Sequence, residues 1–261
     1  MRGFSLVELA IVLVILGLLT GGILAGRSLI RASELRAVGT EYQRYKTAAY
    51  AFKDKYFAIP GDFSQATRVW GRQTSNADCV TTSAAAVSAA GACDGNGGGT
   101  IEMGNVIGGS GERFQFWRQL ALAGLIEGNY TGFSGATLNE GIGGTNIPAS
   151  KFPQAVWYAG YLNLTASDPS VYMLDYGNHL LVGRATSNNS PVARVFTPEE
   201  AWNIDTKLDD GVPARGKVIA RNWNNICARA NDGSSASDDY DTSYRLNDSA
   251  VSCLLYFRQL F

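Results

Sequence analysis

Histidine is almost absent from these 261 residues; the single one is His179. No P-loop, HExxH pair or nucleophile elbow occurs, so the chain shows none of the usual signatures of phosphoryl transfer, zinc proteolysis or serine hydrolysis. Charge is sparse too, at 17% of residues with a net value of -1. Without a basic block or an interleaved basic-aromatic stripe, the bulk composition gives no nucleic-acid footprint. There are four cysteines and no CxxC spacing, which argues against zinc-ribbon and dithiol redox sites.

The cysteines fall instead into two local pairs, Cys79 with Cys93 and Cys227 with Cys253. Four cysteines permit three connectivities, but each of these pairs brackets a plausible loop. Closing a loop of roughly 15 residues contributes about 3 kcal/mol in the chain-entropy picture. Disulfides imply an oxidising compartment, the periplasm or the cell surface.

One long apolar run is present, at the N-terminus. From Phe4 to Gly26 the only ionisable side chain is Glu8, and the run matches the roughly 20 residues that a helix needs to cross a bilayer. It is too long for a signal-peptide core and leads straight into more helical pattern. A carboxylate inside such a helix costs about 2.5 to 3.5 kcal/mol on insertion scales, so Glu8 requires a partner.

Gly3, then Phe4-Ser5-Leu6-Val7-Glu8, then the apolar run, resembles the class III signal of type IV pilins and type II secretion pseudopilins. The resemblance implies cleavage by a prepilin peptidase after Gly3 and methylation of Phe4, leaving residues 1–3 as a very short leader. It implies that Glu8 neutralises the free N-terminal amine of a neighbouring subunit when subunits stack into a filament. It also implies an inner-membrane platform and an assembly ATPase as partners, and inner-membrane residence before export to a periplasmic or surface filament. Arg27, Arg31 and Arg36 follow the span, and counting basic residues alone would place the head in the cytoplasm. The motif takes precedence, because large domains are translocated regardless of nearby charge.

Past the span, Leu35, Val38, Tyr42, Tyr45, Ala49, Phe52 and Tyr56 alternate spacings of three and four, one apolar stripe on a continuing helix. Arg36, Glu41, Arg44, Lys46, Lys53 and Asp54 lie off it. The expectation is a spine helix over residues 4–56, with its transmembrane part at 4–26, carrying a head of residues 57–261. Gly17, Gly21, Gly22 and Gly26 allow close helix approach, and by resemblance the Gly21-Gly22 stretch loosens when the subunit leaves the bilayer.

Within the head, Ile59-Pro60-Gly61-Asp62 is a turn and residues 74–111 form a long small-residue loop stapled by Cys79 and Cys93. Asp94 and Asn96 in this loop partly match a calcium loop, with Glu102 or Glu112 standing in for missing ligands. Residues 112–126 form a short helix stopped at Gly128. The runs 171–176 and 179–182 flank Gly177-Asn178 as a hairpin, with His179 a polar edge residue beside its turn. Thr197-Pro198-Glu199-Glu200 starts a helix with a capping box and runs to about Leu208. Asp205, Asp209 and Asp210 gather at the following acidic turn and make a second calcium candidate, since pilin-like heads often carry such a turn. The tail, residues 251–261, reads as a final strand, and its bridge from Cys253 to Cys227 looks like the C-terminal disulfide region of many pilins.

The fold class is therefore α+β, a helical spine packed on an antiparallel sheet. The function expected is a structural filament subunit and not an enzyme; the alternatives are a minor or tip subunit whose head loops bind a surface, DNA or a secreted substrate, and a membrane-anchored envelope enzyme. Calcium is the one cofactor that the residues suggest.

Overall fold

A computed structural model describes residues 5–73, 90–102, 104, 111–137, 139–165, 171–186, 192–220, 226–230 and 240–261. Helix α1, Leu6–Tyr56, is 51 residues long, or about 76 Å. No proline occurs before Pro60, so nothing removes a backbone donor from it. It runs unbroken through Gly21 and Gly22. Lys53 and Lys55 sit in its last turn, where the helix dipole favours cations. Phe57 ends it in the left-handed region, φ 52°, its N–H donating to the Lys53 carbonyl at 2.8 Å.

The two halves of α1 meet different surroundings. Its apolar side chains from Leu6 to Ile30 are all exposed, whereas Val38, Tyr42, Tyr45, Ala49 and Phe52 are buried, as the stripe predicts. Tyr42 stacks on Phe257 with centroids 4.3 Å apart, and Tyr45 meets Trp117 and Trp157 edge-on at 5.0 and 5.6 Å. Phe52 closes the far end against Phe63 and Trp70. Burying each such ring contributes about 2 to 3 kcal/mol.

The sheet that receives this stripe is built from β1 (Ala155–Asn163), β2 (Asp175–Ala185), β3 (Val192–Ala193), β4 (Val218–Ala220) and β7 (Leu255–Phe257). Every pairing is antiparallel, in the order β1-β2-β7-β4, with β3 beside the end of β2. Strands β5 (Ala228–Ala230) and β6 (Thr242–Tyr244) form a separate two-stranded sheet. The Cys227–Cys253 disulfide ties the start of β5 to the approach of β7, and across its separation of 26 residues the chain-entropy estimate is about 3.5 kcal/mol. Cys93 is also disulfide-bonded; its expected partner, Cys79, lies outside the described residues.

The expected hairpin at Gly177-Asn178 is corrected. Strand β2 runs straight through both residues and pairs along its length with β1. Gly177 has φ 59° where the register jumps between Leu162 and Asn163, so the glycine makes a bulge that leaves Tyr176 unopposed. His179 is correspondingly no edge residue: it is 2% exposed, with the rings of Tyr176 and Tyr256 beside it, and burial pushes its imidazole down to about 4.

Two short helices complete the head before β1: α2 (Ala66–Trp70), which has no sequence signal strong enough to read, and α3 (Glu112–Leu122). Helix α3 stops at Gly124, φ 71°, and not at Gly128. Leu125 N–H reaches the Leu120 carbonyl and Gly124 N–H that of Ala121, the two bonds of a Schellman stop. Residues 113–120 are all buried because loops wrap the whole helix. Gln115 accepts from the Cys93 N–H and donates to the Gly132 carbonyl; Arg118 donates to the carbonyls of Gly91 and Tyr130; Gln119 bonds Gly61 and Cys93.

Helix α4 (Pro198–Leu208) begins as expected, with Thr197 and Glu200 closing a capping box and Pro198 in the first turn. It lies beside α1 and parallel to it. Glu200 reaches Arg31 at 2.5 Å, and Leu208, eight residues on, packs at Gly39, eight residues on from Arg31.

Candidate functional site

Ser5 and Glu8 form a reciprocal cap at the start of the spine. The Ser5 hydroxyl accepts from Val7 N–H at 3.3 Å, and Glu8 Oε2 accepts from Ser5 N–H at 2.8 Å. Glu8 is exposed and retains a second carboxylate oxygen. Gly3 and Phe4, the expected processing positions, lie outside the described residues. The segment after Glu8 is long and apolar enough to cross a membrane, and none of it is buried against the head. A Cβ on Gly17, Gly21, Gly22 or Gly26 would meet no atom within 4 Å, so the chain's own packing does not require these glycines.

Where the spine enters the head, polar groups fix its position. Glu41 is 6% exposed, a correction to its expected place on the outer face. Its Oε2 accepts from Trp157 Nε1 at 2.8 Å and Ser150 Oγ at 2.6 Å, and its Oε1 from Lys151 N–H at 2.8 Å. It sits three residues after Val38 and four before Tyr45, on the buried face by spacing alone. The assumption that a carboxylate belongs in water hid it. About three turns nearer the stalk, Arg31 binds Glu200 of the head and Glu34 and lies over the Phe152 ring at 4.1 Å.

The two acidic candidates are organised differently. Both Asp94 oxygens accept from Thr67, through its N–H at 2.7 Å and its hydroxyl at 2.8 Å. Asn96 Oδ1 turns back onto Gly98 N–H, and Glu102 is exposed. The loop is held instead by Asp62, which accepts from Gly98 and Gly99, and by Glu112, which accepts from Asn96 and Glu102. Burial of Glu112 raises its carboxyl to about 7 despite these two backbone bonds.

Asp205, Asp209 and Asp210 do converge, each offering an oxygen within 4.8 Å of the others. Asp205 is fully buried, accepts from Tyr244 Oη at 2.8 Å and from Gly211 N–H at 3.3 Å, and is pushed up to about 7, chiefly by burial. Asp209 and Asp210 add to the rise. Asp209 Oδ2 already accepts from the Lys217 and Val218 N–H groups, and Asp210 Oδ1 from that of Val212. The donor set is all oxygen, as a hard cation prefers, and among the described residues one oxygen of Asp209 and one of Asp210 carry no backbone bond. The residues fit calcium by donor type, with carbonyls or water completing its six to eight ligands, roughly.

A pH dependence follows. Between its ordinary value of 3.8 and about 7, folded Asp205 keeps a proton that the unfolded chain has lost. Its contribution is therefore full at about pH 4 and below, declines as pH rises towards 7, and is flat above. Asp205→Asn removes this decline, and melting temperatures of both proteins from pH 4 to 8 check it; parallel curves would refute it.

These observations define a class: an α+β head carried on a helix that bears an apolar, membrane-compatible segment with one carboxylate. Residues 1–24 match the family described as Prokaryotic N-terminal methylation motif, the signature of type IV pilins and pseudopilins. No curated protein and no solved structure matches the chain. Proteins that carry such a motif are pilin-like filament subunits, a structural family whose members assemble with one another and are processed by prepilin peptidase.

Proposed function

We propose that this chain is a structural subunit of a type IV pilus or a related secretion-system filament. It is held by a single pass in the inner membrane, cleaved after Gly3, methylated at Phe4, and drawn into the filament by an inner-membrane platform and its ATPase. The observation that carries this reading is the exposed apolar stalk with its single carboxylate. An apolar surface of that length must be covered by lipid or by other stalks, and Glu8 is neutralised when a neighbour supplies a cation, which in the resembling family is the free N-terminal amine.

Mass spectrometry of filaments sheared from the source cells tests it. A methylated Phe4 start at dominant abundance identifies a major subunit, and the same start at trace abundance a minor or tip subunit. An uncut Met1 start confined to the inner membrane would overturn it.

At the acidic turn, Asp205, Asp209 and Asp210 would hold calcium, whose charge would replace the Asp205 proton and pin α4 to β4. Calcium is expected to raise the melting temperature at pH 7.5, an effect lost in Asp209→Asn with Asp210→Asn. An unchanged melting temperature on adding calcium or chelator would remove both this cluster and the Asp94, Asn96 and Glu102 loop as sites.

A further inference from the structure

Two parallel helices leave a groove between them, and α1 and α4 do so at the base of the head. The floor is Leu35, Gly39, Ile204 and Leu208; the cavity is about 400 Å³ and opens to solvent. Gly39 keeps the floor low here: the Leu208 side chain packs 3.4 Å from where a Cβ would stand, so the two helices approach closely at the base of the groove. Arg36 and Lys207 line the rim, both exposed, and neither forms an ion pair with another described residue. An apolar trough with two uncommitted cations suits an apolar helix that carries one acid.

The chain itself contains that helix. The stalk from Leu6 to Ala25 is apolar on every side and exposed, and its single carboxylate is Glu8. Resting on the filament reading above, we propose that the groove between α1 and α4 receives the stalk of a second copy, with the partner's Glu8 against Arg36 and Lys207.

Copies inserted in one membrane point the same way, so the docked stalk runs parallel to α1. With Glu8 opposite Arg36, Val12 stands level with Thr40 and Ile15 with Gln43. The two copies are then offset by 28 residues of helix, an axial displacement of about 42 Å. The geometry gives Glu8 cations beyond a neighbour's terminal amine, and it places them on the head. Glu8 can accept them because capping occupies only Oε2.

The experiment pairs Val12→Cys with Thr40→Cys in the full chain, expressed in its own cells. Among the described residues no native cysteine is free to react. Sheared filaments are treated with a short thiol-specific crosslinker. The expected result is a ladder of linked copies with the double variant and none with either single variant. Filaments without a ladder, or links only to a different subunit, would overturn the groove assignment and leave the filament reading standing. Failure of the unaltered chain to enter filaments would overturn both. If the cysteine pair itself blocks assembly, Arg36→Glu with Lys207→Glu decides. Filament yield should fall at least tenfold while Lys55→Glu, off the groove, leaves it unchanged; equal yields would overturn the proposal.

Discussion

Glu41→Ala is expected to destabilise the head by about 3 kcal/mol or more, since hydrogen bonds to a charged group contribute about 1.5 to 3 kcal/mol each and three donors lose their acceptor together. Trp157 suffers most, because its Nε1–H is buried and has no route to water. For a chain of this size the melting temperature should drop by roughly 6 to 12 °C. Glu41→Gln separates charge from shape: it keeps an acceptor of the same reach, and a loss of about half that size is expected. Denaturant unfolding of the detergent-solubilised chain, followed by tryptophan emission, measures all three proteins. A change below about 0.5 kcal/mol for the alanine variant would place Glu41 among ordinary surface residues.

The size of this effect comes from where Glu41 stands. It joins α1 to β1 and to the loop before it, at the level where Tyr45 meets Trp117 and Trp157. A sliding apolar contact has little directional preference, whereas a carboxylate with three fixed donors sets one register of spine against sheet. Arg31 repeats the device one face over, binding α4 through Glu200, whose other oxygen closes the α4 capping box. The spine is thus keyed to the head at two levels by ionic groups, Arg31 and Glu41, and glued beyond Glu41 by the rings of Tyr42, Tyr45 and Phe52.

The sequence shows some of this and hides the rest, for reasons that differ by element. The spine is legible because a stripe from Leu35 to Tyr56 has one period and ends at a left-handed residue before Ile59-Pro60-Gly61. The start of α4 is legible because Thr197-Pro198 and Glu200 satisfy backbone donors that any helix leaves open. The bulge at Gly177 was not, since a glycine beside an asparagine has the same local chemistry in a turn and in a bulge. Only the pairing of β2 with β1 separates the two. Nothing local marks Gln115, Arg118 and Gln119 of α3 as buried, yet loops from distant sequence cover them and supply carbonyls and N–H groups for them. The same blindness applied to Glu41. Buried polar residues become visible only when the long-range partner that satisfies them is known. Glu8 is legible for the opposite reason, being the one ionisable side chain in the apolar run from Phe4 to Gly26.

Glu8→Ala should insert into the membrane at least as well as the natural chain, because it removes an insertion cost of about 2.5 to 3.5 kcal/mol. Its loss from the N-terminal cap frays the first turn and leaves Leu9 onward helical. Assembly is where the defect falls. Without the carboxylate, a neighbour's cation is buried among stalks with nothing to neutralise it, and an energy of the same size corresponds to a fall of roughly a hundredfold in filament yield. Glu8→Gln distinguishes the two duties of this side chain. It still accepts from Ser5 N–H, so a role in capping alone predicts normal filaments, whereas charge pairing predicts the same collapse as alanine. Sheared-filament yield at equal membrane content, compared among the three chains, is the measurement. Normal yield from Glu8→Gln would show that the stalk's one acid serves its own helix and no other, and stalk packing would then rest on apolar contact alone.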